Sequence, residues 1–101
     1  MNPELAEHAI PLADLCRQCG VLRLELFGSA ATGEASPDSD LDFLVEFETP
    51  PEGGFAEMYF GLREGLEAMF RRPVDIVVAS AIRNRYFRES VERTKRLLYA
   101  A

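Results

Sequence analysis

The sequence predicts an α/β fold in which a small sheet packs against helices, because strand-like and helix-like segments alternate along the chain. Residues 21–27 and 41–47 (VLRLELF and LDFLVEF) alternate apolar and polar side chains at the period of a strand. Residues 74–79 (VDIVVA) form an apolar run interrupted by one acid, which is typical of a third, largely buried strand. The length of 101 residues suits one compact domain, and we interpret residues 1–101 as a single domain.

Helices are predicted between and around these strands. A first helix has Pro11 at its first position and stops at Gly20. Ser29 caps a short helical turn that runs to Thr32, and residues 36–40 (SPDSD) have the chemistry of a turn. A long helix is predicted over residues 55–70. A last amphipathic helix has an apolar face made of Phe87, Val91, Thr94 and Leu98.

Side-chain alternation assigns the two faces of the first two strands. The first strand alternates three leucines with two charged side chains, so the two sets are expected on opposite faces: Leu22, Leu24 and Leu26 against Arg23 and Glu25. The second strand is expected to turn Leu41, Phe43, Val45 and Phe47 one way, and Asp40, Asp42, Leu44 and Glu46 the other.

The net charge of −6 conceals an uneven distribution. Residues 1–70 carry 14 acidic and 3 basic side chains, whereas residues 71–101 carry 3 acidic and 8 basic ones. An acidic body argues against direct binding of nucleic acid, which depends on Lys and Arg neutralising phosphates. No apolar run approaches the roughly 20 residues that span a bilayer, and no signal peptide is evident. We therefore expect a cytoplasmic protein that contacts neither nucleic acid nor membrane.

The two cysteines form a C-x2-C pair, Cys16 and Cys19. Zinc would need two further ligands, and the single histidine, His8, supplies at most one. Both cysteines fall on the apolar face of the first helix, so we predict buried free thiols.

Three aspartates are placed where strand packing does not call for them. Asp40 and Asp42 lie two residues apart on one face of a strand, with Cα atoms about 6.5–7 Å apart, so their carboxylates can converge. Their mutual repulsion calls for a cation, and Mg²⁺ commonly takes one or two carboxylates plus substrate phosphates. Asp75 adds a third acid from a later strand. Together the three predict a metal site for phosphoryl transfer that holds two Mg²⁺ ions.

A glycine and a serine precede the acids in a position suited to phosphate binding. Gly28 ends the first strand and lets the backbone approach a ligand closely, while Ser29 opens a helical turn and offers a hydroxyl donor. Such a turn is common when it stands alone. The ordered combination of Gly28-Ser29, Asp40-x-Asp42 and Asp75 predicts a nucleotide site.

The stretch FGSAATGEASPDSDLDFLV, followed by PVDIVV, resembles the minimal nucleotidyltransferases of the DNA-polymerase-beta superfamily. The resemblance covers nearly the whole chain and implies a small mixed sheet, of three strands or slightly more, flanked by helices. It also implies metal ligation and catalysis by Asp40, Asp42 and Asp75, with activation of the nucleophile by Asp75. Gly28 and Ser29 would hold the triphosphate of ATP.

Many small members of this family are antitoxins. The resemblance is to those that transfer AMP from ATP to a tyrosine of a cognate HEPN-domain ribonuclease toxin. The resemblance therefore implies an adenylyltransferase antitoxin with Mg²⁺ and ATP. Thr32 stands where the commonest motif has arginine, and Arg71, Arg72 and Arg83 are the candidates to replace that cation. The alternative is a catalytically weak or inactive antitoxin that neutralises its toxin by binding alone. A small-molecule acceptor is a third reading, which would need an added domain to complete the pocket.

The helix predicted over residues 55–70 has apolar side chains around more of its circumference than a narrow stripe. A sheet of this size is not expected to cover them all, and an exposed apolar patch usually marks an interface. We predict a complex with a helical partner, or a homo-oligomer in its absence.

Overall fold

Four strands and five α-helices alternate within residues 3–33, 39–49 and 53–101, the part of the chain that the computed structural model describes. The helices are α1 (Pro3–Glu7), α2 (Ala9–Gln18), α3 (Ser29–Thr32), α4 (Phe55–Phe70) and α5 (Arg85–Thr94). The strands are β1 (Val21–Phe27), β2 (Leu41–Phe47), β3 (Val74–Val78) and β4 (Arg96–Ala100). The turn predicted at residues 36–40 lies largely outside the described residues.

The strands form one mixed sheet in the order β3-β2-β1-β4. Both β2 and β4 pair with β1 in the antiparallel sense, whereas β2 and β3 run parallel. A parallel pair needs a long crossover, and α4 lies within the one between β2 and β3. The predicted fold class, a small mixed sheet flanked by helices, is confirmed. None of the helices within the described ranges is long and apolar enough to cross a membrane.

The last helix is shorter than predicted, and the residues after it form a strand. Helix α5 ends at Thr94, and Lys95 is extended, with φ −61° and ψ 144°. Strand β4 follows at once and pairs with β1, with Tyr99 opposite Leu24 and Arg96 opposite Leu26. The assignment of Leu98 to a helix was therefore wrong, because pairing with the free edge of β1 overrides the helical spacing of the apolar residues.

Two smaller boundaries also differ from prediction. Helix α2 begins at Ala9, so Pro11 is its third residue rather than its first, a position within the first turn where a missing N–H costs no hydrogen bond. Strand β3 ends at Val78, and Ala79 opens a short 3-10 helix, Ala79–Ala81.

The main core lies on the sheet face that α2 and α4 cover. Its most buried members come from these helices and the central strands: Leu12, Cys16, Leu24, Leu26, Phe43, Val45, Leu62 and Leu66. Burial raises the pKa of the Cys16 thiol to about 12, which keeps it protonated and inert. Both cysteines are free; Cys16 is buried as predicted, whereas Cys19 is half-buried.

A smaller cluster lies on the opposite face, beneath α5. It consists of Phe27, Leu44, Ile82 and Val91. The ring of Phe87 meets that of Phe27 edge-on, with centroids 5.9 Å apart. Leu44 therefore packs on the face predicted for it. These contacts pack α5 against the end of β1.

A bulge in β1 changes the face assignments predicted for that strand. Val21 pairs with Phe47 but Arg23 pairs with Glu46, so Leu22 is an extra residue in the ladder and is 41% exposed. Leu22 therefore does not share the buried face of Leu24 and Leu26, and that part of the prediction was wrong. Glu25 does lie on the face opposite these leucines, where it pairs with Leu44. It is nevertheless only 5% exposed, with Arg23 Nε at 3.3 Å and Lys95 Nζ at 3.7 Å from its carboxylate oxygens.

Helix α4 leaves part of its apolar surface uncovered, as predicted. Phe55 and Phe60 are 45% and 55% exposed. Their rings belong to a chain of contacts with Tyr59 and Phe47, with centroid separations between 5.2 and 6.2 Å. Association through this surface stays a prediction.

Because of the bulge, replacing Leu22 and replacing Leu24 should lower the unfolding free energy by different amounts. Leu24→Ala removes a side chain that is fully buried and should cost about 2–5 kcal/mol of unfolding free energy. Leu22→Ala should cost about 1 kcal/mol or less, because much of that side chain is already in water. Urea unfolding of both variants measures the difference. Equal losses, or a larger loss for Leu22→Ala, would contradict the bulge.

Candidate active site

The ends of three strands meet at one edge of the sheet and bring two acids side by side. Asp42, the second residue of β2, is the register partner of Asp75, the second residue of parallel β3. Paired residues of neighbouring strands project on the same face, and their strands lie about 4.8 Å apart. On its other side Asp42 pairs with Phe27, the last residue of β1. The carboxylates of Asp42 and Asp75 therefore border the point where β1 ends.

Asp40 completes a group of three mutually repelling carboxylates. It lies just before β2 and is exposed, whereas Asp42 is half-buried. Burial raises the pKa of the Asp42 carboxyl, and the charges of Asp75 and Asp40 raise that pKa further. A cation placed among these acids would relieve the repulsion.

Gly28 passes close to the Asp42 side chain in a backbone conformation that favours glycine. Its backbone has φ +74° and ψ −154°, a region that is essentially restricted to glycine. A Cβ added to Gly28 would lie 2.7 Å from Asp42 Oδ2, well inside van der Waals contact. Gly28 and Asp42, which the sequence predicted as parts of one site, are thus in contact in the fold.

The helix that begins at Ser29 is a single turn, held by a buried alanine and by a hydrogen bond between its own residues. Ala30 is buried in the main core, while Ser29 is exposed. The turn ends at Gly33, which is left-handed with φ +82°. The Thr32 hydroxyl donates a hydrogen bond to the Ser29 carbonyl, 3.2 Å away. At the position where arginine is commonest, this chain therefore has a side chain that bonds its own helix.

Of the three candidate replacement cations, Arg72 makes a contact next to Asp40. One of its guanidinium nitrogens lies 3.5 Å from the carbonyl oxygen of Ser39, the residue before Asp40. Arg83 instead donates to the Ser80 carbonyl at 2.8 Å. Arg71 is exposed at the end of α4.

Thr94 is a further residue at this edge, and its position was not predicted. The backbone N–H of Gly28 donates to Thr94 Oγ1, 3.0 Å away, across a sequence separation of 66 residues. The sequence pattern placed Thr94 only on the apolar face of a helix. A hydroxyl at the end of that face, in line with Phe87 and Val91, was the one local signal.

The acids suit a metal ion that is shared with a nucleotide. Within the described ranges, no group of three or more His, Cys, Asp or Glu side chains is arranged to hold a metal ion by itself. Asp42 and Asp75 nevertheless offer adjacent carboxylates, and the pKa of Asp42 is raised first by burial and then by the charges of Asp75 and Asp40. Mg²⁺ usually takes one or two carboxylates and completes its shell with water and phosphate oxygens. The donor set therefore fits Mg²⁺.

Comparison with known proteins gives consistent matches. A family model described as "Nucleotidyltransferase domain" matches residues 12–98. A relative from Methanocaldococcus jannaschii, named "Putative protein adenylyltransferase MJ1379", is 39% identical over 72 residues, which are 71% of each chain. Protein adenylyltransferase MntA of Thermococcus cleftensis is 38% identical over 71 residues, 70% of this chain and 69% of the relative.

Solved structures give the same fold. One described as a "putative minimal nucleotidyltransferase" is 37% identical, with a TM-score of 0.74 over 91% of this chain and 90% of the other. A toxin-antitoxin complex with AMP-PNP shares the fold at 20% identity and a TM-score of 0.69, over 100% of this chain and 75% of that one. So does a tri-AMPylated Shewanella oneidensis HEPN toxin in complex with MNT antitoxin, at 16% identity and a TM-score of 0.64, over 96% and 73%.

The close approach of Gly28 to Asp42 can be tested against Gly33, which has positive φ in the left-handed region without the contact. Gly28→Ala should cost about 2–4 kcal/mol, because it adds a clash with Asp42 Oδ2 to an unfavourable backbone region. Gly33→Ala also has positive φ but meets nothing within 4 Å, and should cost about 1 kcal/mol. Urea unfolding measures both, and Asp42→Ala should recover part of the Gly28→Ala loss. Equal losses at the two glycines would contradict the contact.

The pKa of Asp42 predicts a pH-dependent gain from neutralising it. Because the folded state raises this pKa, the ionised carboxylate destabilises the fold above that pKa and does not do so when protonated. Asp42→Asn should therefore melt at or above the wild-type temperature at pH 7, and the difference should shrink as the pH falls towards 4. Asp14→Asn, at an exposed site paired with Arg17, is the control and should show no gain at pH 7. A loss of stability for Asp42→Asn at pH 7 would indicate a structural aspartate instead.

Proposed function

The chain belongs to the nucleotidyltransferase domain family, and from that premise we propose that it is an Mg²⁺-dependent protein adenylyltransferase acting as an antitoxin. It transfers AMP from ATP to a tyrosine hydroxyl of a cognate HEPN-domain ribonuclease toxin and thereby silences it. The catalytic and metal-binding residues are Asp40, Asp42 and Asp75, and the nucleotide-binding residues are Gly28 and Ser29. In this proposal residues 1–101 form one nucleotidyltransferase domain.

The observation that carries this proposal is the register of β2 and β3 at the end of β1. Asp42 lies beside Asp75 on one side, and Gly28 passes against it on the other. Two acids next to a glycine-restricted backbone suit a triphosphate bound together with a metal. The relatives named protein adenylyltransferase support AMP as the transferred group, and the complexes with a HEPN toxin or AMP-PNP support the partner and the nucleotide class.

The residues of this chain have distinct parts in the transfer. Gly28 lets the turn approach the triphosphate closely, and the Ser29 N–H and hydroxyl that follow it hold the triphosphate against the acids, in line with the incoming hydroxyl. That hydroxyl oxygen forms a bond to the α-phosphorus, the bond from this phosphorus to the bridging oxygen breaks, and pyrophosphate leaves. Asp75, the more exposed of the paired acids, accepts the hydroxyl proton. Mg²⁺ bound with the nucleotide neutralises phosphate charge and stabilises the leaving pyrophosphate.

A second candidate function is neutralisation by binding alone. It is favoured by Thr32, whose hydroxyl bonds within α3 where the commonest motif supplies an arginine. The fold is the same in both readings, and only the presence or absence of AMP transfer separates them.

Labelled AMP transfer tests the proposal. The chain is mixed with Mg²⁺, ATP labelled at the α-phosphate, and a candidate HEPN-domain toxin. We expect label on a tyrosine of that protein. Asp75→Asn should lower the rate by about 100-fold or more, because the acceptor hydroxyl loses its base. Asp14→Asn, an exposed aspartate on α2, is the matched control and should keep the wild-type rate.

Each outcome has a different meaning. A wild type that silences the toxin without transferring label supports binding alone and rejects the enzymatic proposal. An Asp75→Asn variant that transfers at the wild-type rate rejects the role of Asp75. Melting of the variant with and without Mg²⁺-ATP serves as the folding control.

A further inference from the structure

Thr94 links the last turn of α5 by a hydrogen bond to the backbone beside the acids. Its hydroxyl accepts the Gly28 N–H at 3.0 Å and lies 3.1 Å from the Ser90 carbonyl, to which it donates its proton. Both hydrogen-bonding roles of the hydroxyl are therefore used. We propose that Thr94 is a positioning residue that holds the Gly28 peptide in its nucleotide-binding orientation and so sets the affinity for Mg²⁺-ATP. This inference rests on the proposed function.

The sheet itself does not hold Gly28. The β1–β2 ladder ends at the pair of Phe27 and Asp42, so the next residue leaves the strand. Gly28 has the widest conformational freedom of any residue type, and its observed conformation is one that is rarely occupied. The bond from its N–H to Thr94 orients the Phe27–Gly28 peptide, while the N–H groups of Ala31 and Thr32 hold its carbonyl.

Helix α5 is rigidly placed to provide that bond. Val91, one turn before Thr94, is 1% exposed in the cluster with Phe27, and the Phe87 ring packs edge-on against the same phenylalanine. The helix thus holds Phe27 through packing and Gly28 through a hydrogen bond. Ser29 is the next residue, so the direction of its hydroxyl depends on the conformation of Gly28.

A purely structural tie would behave differently from a positioning residue. If the hydrogen bond were purely structural, losing it would lower stability. The affinity for Mg²⁺-ATP would then fall no more than in any variant that is equally destabilised. Positioning instead predicts a loss of Mg²⁺-ATP affinity that is specific to the hydroxyl and is not reproduced by an equally destabilising change nearby.

The experiment compares three variants with the wild type. Thr94→Val keeps the shape and removes the hydroxyl, Thr94→Ser keeps the hydroxyl, and Ile82→Val removes one methylene from the cluster beneath α5. Calorimetry measures the Kd for Mg²⁺-ATP, thermal melting measures stability, and NMR measures hydrogen exchange of the Gly28 amide without nucleotide. We expect Thr94→Val to raise Kd about tenfold and to speed Gly28 exchange, in line with the loss of one hydrogen bond. Thr94→Ser should stay within about twofold of wild type, and Ile82→Val should melt lower with unchanged Kd.

Equal Kd values for the wild type and Thr94→Val would overturn the inference, as would an equal loss in Thr94→Ser or Ile82→Val. A wild type that binds Mg²⁺-ATP but labels no acceptor would overturn the proposed function alone, because the Thr94 comparison is made on binding. A wild type that binds no Mg²⁺-ATP would overturn both.

Discussion

The parallel pairing of β2 with β3 is the constraint on which the candidate site depends. It places Asp42 opposite Asp75, and a shift of that pairing by one residue would send the two carboxylates to opposite faces of the sheet. Apolar side chains on the other face fix the register: Phe43 and Ile76 are paired and buried in the main core. Packing on one face of the sheet therefore aligns charges on the other. The core and the site are two results of the same register.

The protein accepts an electrostatic cost at this edge. Asp42 is held where burial and two neighbouring acids oppose its ionisation, and Gly28 is held in a conformation that few chains adopt. Costs of this kind usually collect at sites that bind or react, because the surrounding fold maintains them for a ligand to relieve. The buried Glu25 provides a contrast within the same sheet. Its charge is matched by Arg23 and by Lys95, so the pair with Lys95 links β1 to the junction between α5 and β4.

Much of the fold follows from local patterns, and the exceptions have physical causes. The strands around Asp42 and Asp75 were predictable because alternation and apolar runs are local signals. The β1 bulge was not, since one extra residue removes Leu22 from the buried face without changing the composition. Strand β4 was missed because its apolar residues continue the spacing of α5, and only the edge of β1 selects between the two structures. The sequence placed three acids and Gly28 in order, but their proximity comes from register. The contact of Thr94 depends on a fold that brings distant residues together.

The link between Gly28 and Thr94 has a consequence for the protein during its synthesis. A nascent chain that has emerged through β3 already contains every acid of the candidate site, yet it lacks α5 and β4. Until those elements fold, the backbone after β1 has no partner in α5, and one edge of β1 stays unpaired. Such contacts between distant residues form late, because closing long loops costs chain entropy. Full affinity for a nucleotide is thus expected to arise only after α5 and β4 have been made and folded.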